Sequence, residues 1–308
     1  MSPTLEVKNL TISFQQYRGG WRQSAASPIQ GLDISVQDGE VLAVVGASGS
    51  GKSLLAHAIL GILPRHAAVT GAMRFRGQEL TADRLEQLRG KDIVLVPQSV
   101  NFLDPLMRVG AQVRLSVRDG SAVEKQRQAF ARYGLARNVE NHYPFQLSGG
   151  MARRVLVSTA TVSGAGLIIA DEPTPGLDAE SLREALRCFR ELADQGNAVL
   201  LITHDLESAL DIADRVAVFY AGTTVESAPA SDFRSGGERL RHPYTRALWH
   251  ALPQNGFTPL PGAQPDPDNL PHGCLFAPRC AMATAECGIE RPVLRELRGG
   301  TVRCIHAS

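Results

Sequence analysis

An α/β fold is predicted for this chain by three features of its sequence. Short apolar runs that are typical of buried strands alternate with segments whose apolar residues recur at helical spacing. One such run, residues 41–45, leads directly into a glycine-rich loop that a helical pattern follows. Three later runs each end in polar side chains, at Gln98, at Asp171 and Glu172, and at His204. We therefore expect a sheet with a strand–loop–helix unit and polar groups at its strand ends.

The bulk composition sets broad limits on organisation and function. At 308 residues the chain exceeds the usual size of one domain, so we expect a large domain and a smaller one. The net charge of +1 gives no support for nucleic-acid binding through a strongly basic surface. The first residues lack a basic region followed by an apolar stretch, and no run approaches the ~20 apolar residues of a spanning helix. We therefore expect a cytosolic or peripheral protein.

The glycine-rich loop at positions 46–53 matches the full phosphate-loop motif. Its glycines allow successive backbone N–H groups to surround a phosphate at the positive end of the following helix. Lys52 is expected to reach the β- and γ-phosphates, and the Ser53 hydroxyl to bind Mg²⁺. A glycine-rich turn without a ligand is the alternative, but the strand and helix around the motif favour a nucleoside triphosphate site. The candidate residues are Gly46, Ser48, Gly49, Ser50, Gly51, Lys52 and Ser53.

Two antiparallel strands are predicted beside the phosphate-loop strand. Apolar residues alternate in residues 5–14 and again in residues 32–36, whereas the Gly-, Ser- and Gln-rich residues 15–30 are expected to form a loop. An aromatic side chain in this region, Phe14 or Tyr17, is a candidate for stacking on adenine. An aromatic at such a position is as often part of the core, so both interpretations stay open.

Residues 98–148 differ in pattern from the rest of the chain. They are polar, with a helix expected over residues 123–133, and this predicts a helical subdomain separate from the nucleotide core. Gln98 follows a buried strand, where it is either a polar cap or a contact to Mg²⁺ or the attacking water. A serine and two glycines precede the next helix, and they form either a simple N-cap or a second anion site. These three residues are Ser148, Gly149 and Gly150.

Polar side chains at the next two strand ends point to phosphate chemistry. Asp171 can hold Mg²⁺ through water, and Glu172 can polarise the water that attacks the γ-phosphate. Acidic residues also serve as turn formers, but after a phosphate loop the catalytic interpretation is favoured. Asp178 is expected to cap the helix that follows. Because the neighbouring strand ends carry phosphate-directed groups, we expect His204 to contact the γ-phosphate.

Taken together, these motifs resemble the ATP-binding-cassette ATPases over about residues 5–230. The discriminating element is Leu-Ser-Gly-Gly at positions 147–150, which resembles the cassette signature. The resemblance implies that two cassettes pair head to tail, with ATP between the phosphate loop of one and the signature of the other. It also implies motif assignments, namely the Q-loop for Gln98, the Walker B motif for Asp171 and Glu172, the D-loop for Asp178 and the switch for His204.

Residue roles follow from the same resemblance. Glu172 would be the general base, His204 the γ-phosphate sensor, and Phe14 the adenine-stacking aromatic with Tyr17 as second choice. Two positions depart from the family pattern. Pro175-Gly176 stands where many relatives have Ser-Ala in the D-loop, which leaves communication between the two sites open, and Met151 replaces the frequent Gln after the signature.

The C-terminal residues narrow the resemblance. Residues 241–248 resemble the His-Pro-Tyr-Thr element of ATPases from oligopeptide, dipeptide and nickel importers. The proline-rich residues 253–278 are expected to be extended and to wrap around the protein. The last 35 residues contain four cysteines. Four thiolates suit either zinc or an iron–sulfur cluster, and the resemblance favours a [4Fe–4S] cluster with a structural role. The ligands would be Cys274, Cys280, Cys287 and Cys304.

The predicted architecture is α/β, with a phosphate-loop NTPase core, an antiparallel β subdomain, a helical signature subdomain and a small cysteine-containing C-terminal extension. We expect the cassette to span residues 1–230, with its helical subdomain at about 100–163, and the extension to span 231–308. The cofactors implied are ATP, Mg²⁺ and the cluster.

The resemblance implies the ATPase subunit of an importer for peptides or nickel, peripheral on the cytoplasmic face of the inner membrane. Its partners would be a second cassette ATPase (a copy or a paralogue), two membrane permease subunits and, indirectly, an extracytoplasmic binding protein; no nucleic acid is expected. The alternative is a soluble cassette ATPase in DNA repair or another non-transport process. The span from Ser53 to Ser148 has no room for the coiled coil or zinc modules of such proteins. Peptides, nickel, metallophore complexes and glutathione all stay open as cargo.

Overall fold

The computed structural model describes residues 2–18, 22–118, 120–174 and 176–308, without the side chains of residues 16–18 and 22–25. None of the helices in these ranges is long and apolar enough to cross a membrane. The strands are β1 (Leu5–Arg18), β2 (Arg22–Val36), β3 (Val41–Gly46), β4 (Ala67–Phe75), β5 (Gln78–Glu79), β6 (Ile93–Val96), β7 (Leu167–Asp171), β8 (Ala198–Thr203), β9 (Arg215–Tyr220), β10 (Thr223–Pro229), β11 (Arg295–Leu297) and β12 (Gly300–Val302). The helices are α1 (Lys52–Leu60), α2 (Ala82–Leu88), α3 (Val109–Leu115), α4 (Ala122–Arg132), α5 (Gly149–Ser163), α6 (Ala179–Asp194), α7 (Leu206–Leu210), α8 (Ala230–Arg234) and α9 (Pro243–His250).

The larger sheet has the strand order β11-β12-β10-β9-β3-β8-β7-β6. Its strands β9, β3, β8, β7 and β6 run parallel to one another. Strands β3, β7 and β8 are buried along their whole length, as expected for apolar strands covered on both faces. The carboxyl ends of β3, β6, β7 and β8 therefore meet at one edge of the sheet, where ligands bind in such folds. The predicted α/β architecture is confirmed.

The smaller sheet is antiparallel, with the strand order β2-β1-β4-β5. The expectation of a loop at residues 15–30 is wrong, because β1 extends to Arg18 and β2 begins at Arg22. The two strands pair from Phe14 with Ala26 to Arg18 with Arg22. Backbone N–H and C=O groups make this pairing, and it does not require apolar side chains. A prediction based on the alternation of apolar residues therefore misses these polar strands.

In its described part, the region expected to form the helical subdomain contains the α-helices α3, α4 and α5. Helices α3 and α4 pack on α5, and the core that they share contains Val113, Phe130 and Val155. Helix α5 begins at Gly149, because Ser148 caps it. The boundaries expected for this subdomain and for the two domains stay predictions.

The C-terminal residues complete the larger sheet. Strand β12 pairs with β10, and β11 pairs with β12. This pairing covers the backbone edge of β10, which would otherwise be open to other strands. Phe276 packs against Tyr220 and Tyr244, with ring centroids 5.3 and 5.4 Å apart. Residues 253–278 contain short 3₁₀ turns and otherwise irregular backbone, in agreement with the predicted extended segment.

A buried cluster of charges fixes this tail to the sheet. The side chain of Arg241 is fully buried, and its guanidinium group lies 3.2 Å from Glu226 and 2.9 Å from Asp232. Its Nε donates a hydrogen bond of 2.6 Å to the carbonyl oxygen of Leu297. Glu226 also accepts from the backbone N–H groups of Arg241 and His242. One arginine thus joins β10, α8 and the β11–β12 hairpin.

Candidate active site

A cavity of about 500 Å³ lies at the edge of the sheet where the parallel strands end. It is lined by the phosphate loop after β3 and by polar side chains that follow β6, β7 and β8. The lining residues are Ser48, Gly49, Gly51, Lys52, Ser53, Leu54, Gln98, Glu172 and His204. Four separate segments of the chain therefore converge on one site.

The glycines of the phosphate loop are required by its backbone. Gly49 and Gly51 have φ angles of +79° and +95°, values that other residues rarely adopt. A Cβ at Gly46 would lie 2.5 Å from the carbonyl oxygen of Phe219, so no side chain fits there. A Cβ at Gly49 would meet no protein atom within 4 Å, and this position lines the cavity. Gly46, Ala47 and Ser50 do not line the cavity, whereas the other residues of the loop do, and these form a cradle for an anion.

The side chain of Lys52 is held in place by backbone carbonyl groups at the start of the loop. Its Nζ donates hydrogen bonds to the carbonyl oxygens of Gly46, at 2.9 Å, and Ala47, at 3.1 Å. Burial lowers the pKa of Lys52, while the charges of Glu172 and Asp171 act in the opposite direction. The positive charge of Lys52 is thus fixed inside the cavity, and an anionic ligand would stabilise this charged form of the side chain.

Ser53 and Asp171 form an oxygen-rich pair beside the loop. The Ser53 hydroxyl donates a hydrogen bond of 3.1 Å to Oδ1 of Asp171. Burial raises the pKa of Asp171, and the hydrogen bond from Ser53 opposes that shift. Mg²⁺ in phosphate sites takes one or two protein oxygens and completes its shell with phosphate and water. The Ser53–Asp171 pair fits an ion of this kind.

Glu172 and His204, which both line the cavity, contact each other. Nδ1 of His204 lies 2.5 Å from Oε2 of Glu172. Glu172 has a φ angle of +47°, an uncommon value for a residue with a side chain, and its N–H donates to the carbonyl oxygen of Ile202 at 2.8 Å. The Glu172 residue is buried, whereas the His204 side chain is 64% exposed. A base and its orienting partner can be supplied by such a pair.

The structure does not bring the signature residues into this cavity. Ser148 caps α5, and its Oγ accepts a hydrogen bond of 3.3 Å from the N–H of Met151. Gly149 and Gly150 form the first turn of that helix. Asp178 caps α6 by accepting from the N–H groups of residues 180 and 181. Within one chain, Ser148 and Asp178 therefore act as helix N-caps. Pro175, which departs from the family pattern, lies outside the described residues.

Phe14, the first candidate for an adenine contact, does not line the cavity. Phe14 is half-buried on β1, and its ring centroid lies 5.6 Å from that of His66. Phe14 also packs against the apolar core of the antiparallel sheet. The side chain of Tyr17 lies outside the described residues. Adenine stacking by either residue stays a prediction.

Sequence reasoning missed Arg153, which is buried on α5. Its guanidinium group donates to the carbonyl oxygen of Pro97 at 2.7 Å and also to that of Gln98. Burial lowers the pKa of Arg153. A charged residue on the apolar face of the helix after the signature is the signal that could have found it.

The four tail cysteines surround one small cavity of about 10 Å³. All four are free thiols, and burial raises the pKa of Cys274 and of Cys280. Within the described ranges, however, no group of three or more His, Cys, Asp or Glu side chains could hold a metal ion. The predicted [4Fe–4S] cluster therefore gains no support from this arrangement.

The fold and the site together define an ATP-binding cassette. The family model described as "ABC transporter" matches residues 29–175, and the model described as "Oligopeptide/dipeptide transporter, C-terminal region" matches residues 225–287. A solved dimeric cassette, MJ0796 bound to ADP and Pi, has the same fold with a TM-score of 0.64 and 24% identity over 73% of this chain and 98% of that one.

Curated relatives extend the match to nearly the whole chain. The oligopeptide transport ATP-binding protein AppD of Bacillus subtilis is 33% identical, with 99% of this chain and 97% of AppD covered. The oligopeptide transport ATP-binding protein OppD of Mycobacterium tuberculosis is 35% identical over 96% of this chain and 50% of OppD. The chain belongs to the ATP-binding-cassette ATPases of ABC transporters, in the group that carries the oligopeptide/dipeptide transporter C-terminal region.

Proposed function

We propose that this chain is the ATP-hydrolysing subunit of an ABC importer for peptides. The observation that carries the proposal is the convergence of Lys52, Ser53 and the Glu172–His204 pair on one cavity, with Asp171 hydrogen-bonded to Ser53. The peptide class is supported by the C-terminal region and by the relatives named as oligopeptide transport proteins. These names give no support for nickel, which stays the second candidate from the sequence.

Each group in the cavity has a role in the proposed reaction. The loop N–H groups and Lys52 bind the phosphates of ATP, and Ser53 and Asp171 hold Mg²⁺, which neutralises phosphate charge. Glu172 accepts a proton from the attacking water as general base. His204, hydrogen-bonded to Glu172, orients that carboxylate and senses the γ-phosphate. Gln98 lines the cavity, where its amide can contact the water or the ion.

A second cassette, either a copy or a paralogue, completes the site in this proposal. Ser148, Gly149 and Gly150 lie outside the cavity of their own chain, so their phosphate-binding role requires the cavity of a partner chain. The helix N-terminus at these residues favours an anion. Asp178 belongs to the same contact region, because Gly150 lies near the carbonyl oxygen of Gly176.

Exposed apolar side chains in the segment after Gln98 and in the segment before Ser148 are proposed to dock the membrane permease subunits. Phe102, Leu106 and Phe145 are 57%, 87% and 75% exposed. The N–H of Val109 donates to the carbonyl oxygen of His142 at 2.9 Å, so the two segments that carry them run side by side. The permeases would hold the subunit at the cytoplasmic face of the membrane, and an extracytoplasmic binding protein would deliver the peptide.

Recovery of the transporter tests this proposal. A tagged chain is purified from detergent-solubilised membranes of its own cells, and co-purifying proteins are identified by mass spectrometry. We expect two permeases and a cassette, and weaker recovery of the permeases with Leu106→Asp than with the control Ile289→Asp, which changes an exposed apolar residue of the tail. Recovery from the soluble fraction with DNA-repair proteins would favour the alternative function instead.

For the tail we propose that the four cysteines hold a [4Fe–4S] cluster with a structural role. The proposal rests on the resemblance of the tail to that of the oligopeptide, dipeptide and nickel importer ATPases and on the need of a short segment with little core for additional stabilisation. Anaerobically purified protein should contain about four irons per chain. Cys287→Ser should lose the iron, whereas Cys188→Ser, which changes a buried cysteine of α6, should retain it. A zinc-loaded or metal-free preparation contradicts the cluster.

A further inference from the structure

A second large cavity, of about 490 Å³, lies between the antiparallel sheet, β10 and the tail. Its volume is in the range that small-molecule sites occupy, and it lies where separate parts of the fold meet, as many such sites do. The phosphate loop contributes no residue to it, so this cavity is distinct from the ATP site.

The charges around this cavity are unbalanced. The described residues that line it include two guanidinium groups, those of Arg291 and Arg303, and no carboxylate. Arg303 is paired with Asp33 and donates to the carbonyl oxygen of Gly31 at 2.8 Å. Arg291 donates instead to a neutral partner, the side-chain oxygen of Gln30.

The position of Arg291 has an electrostatic cost. Burial and the neighbouring charge of Arg303 both lower the pKa of Arg291. In addition, Nε of Arg303 is buried without a hydrogen-bond partner in the described part of the chain. An anion between the two guanidinium groups would remove the repulsion and give their unpaired N–H groups an acceptor.

The remaining walls suit an organic ligand. Leu275, Phe276 and Val225 provide an apolar surface, and Thr11 and Thr223 provide hydroxyl groups. An inorganic anion would leave the apolar surface without a contact, whereas a molecule with a carboxylate and an apolar group can contact both the guanidinium groups and that surface. We propose that this cavity binds a small organic carboxylate, with the carboxylate at Arg291 and Arg303 and the apolar part against Phe276.

Calorimetric titration of the full chain with matched probes tests the proposal. The probes are N-acetylphenylalanine, its amide, which has the same apolar part without the charge, and inorganic phosphate. We expect the acid to bind at least about tenfold more tightly than the amide and than phosphate. Equal affinities for the acid and the amide, or preferred binding of phosphate, would overturn the proposal.

Variants locate the binding. Arg291→Gln should weaken binding of N-acetylphenylalanine about tenfold or more, and Arg291→Lys, which retains the charge, should weaken it less. Arg298→Gln makes the same charge change at an exposed residue of the tail that does not line the cavity, and it should leave binding unchanged. If Arg291→Gln binds the acid like the wild type, the assignment is wrong. Should Arg291→Gln not fold, the lysine variant and the comparison of acid with amide on the wild type decide.

Discussion

The guanidinium group of Arg153 donates a hydrogen bond to the backbone carbonyl oxygen of Gln98. A second hydrogen bond, of 2.7 Å, reaches the adjacent carbonyl oxygen of Pro97. Arg153 lies one turn into α5, the helix that Ser148 caps, and Gln98 lines the candidate active site. The signature helix and the glutamine at the strand end are thus connected by one buried side chain.

Loss of this connection should reduce ATP hydrolysis without preventing ATP binding. In Arg153→Gln the segment that carries Gln98 loses two hydrogen bonds, whereas Lys52 and Ser53 keep their contacts. We expect kcat to fall about tenfold and the affinity for a fluorescent ATP analogue to stay within about twofold. The matched control is Arg154→Gln, because Arg154 donates to Tyr133 and Gly150 rather than to the Gln98 segment. Wild-type turnover by a folded Arg153→Gln protein would contradict the positioning role.

Replacement of Glu172 tests the proposed general base. Glu172→Gln keeps the size of the side chain and a hydrogen bond to His204, but the amide cannot take a proton from water. We expect kcat to fall at least about 100-fold while ATP binding is retained. Hydrolysis should be measured together with the partner cassette. Glu180→Gln, an exposed residue in the first turn of α6, is the control, and normal turnover by Glu172→Gln excludes this residue as the base.

Arg241 should be far more important for stability than Arg239, although both contact Asp232. The Arg241 side chain is fully buried between Glu226 and Asp232, so Arg241→Met leaves buried Glu226 without its cation and Asp232 with only the exposed Arg239. Such a loss costs about 3–5 kcal/mol of the free energy of unfolding. Arg239 is 61% exposed and lies 3.4 Å from Asp232, so Arg239→Met should cost less than about 1 kcal/mol. Urea unfolding of the two variants measures this difference, and equal losses would show that the cluster is not energetically coupled.

The parts of the site on buried parallel strands could be predicted from the sequence. Strands β3, β7 and β8 are apolar throughout because both of their faces are covered, and the polar residues that follow them stand out against these runs. The phosphate loop is equally visible, since its backbone angles require glycine at fixed positions. Local physics determined these features, so a local pattern was sufficient to find them.

Features that depend on distant partners could not be predicted in this way. Strands β11 and β12 have three residues each, too few to show a period, and they exist because β10 offers an edge for pairing. The outer part of the β1–β2 hairpin is polar and is fixed by backbone pairing. The contacts of Arg153 with Pro97 and Gln98 join residues 55 and more positions apart. No short window of sequence contains both partners of these contacts.

The stability of the protein should depend on pH through His242. Burial lowers the pKa of His242 to about 3, whereas a histidine in an unfolded chain has a pKa of about 6.5. Between these two values the unfolded chain binds a proton that the native protein does not. The free energy of unfolding should therefore fall as the pH decreases below about 6.5, by about 1.4 kcal/mol per pH unit from this residue.

A variant without the imidazole isolates this contribution. His242→Asn cannot titrate in this range, and its side-chain oxygen can replace Nδ1 as the acceptor for the N–H of Tyr244 at the start of α9. Between about pH 5.5 and 4.5, urea unfolding should show a loss for the wild type that exceeds the loss for His242→Asn by about 1 kcal/mol. His250→Asn, at an exposed position of the same helix, should retain the wild-type slope. Because the comparison uses slopes, a lower stability of His242→Asn at neutral pH does not affect it. Parallel slopes for the wild type and His242→Asn would mean that His242 binds its proton equally well in the native protein and in the unfolded chain. Burial would then not lower its pKa, and the prediction would be wrong.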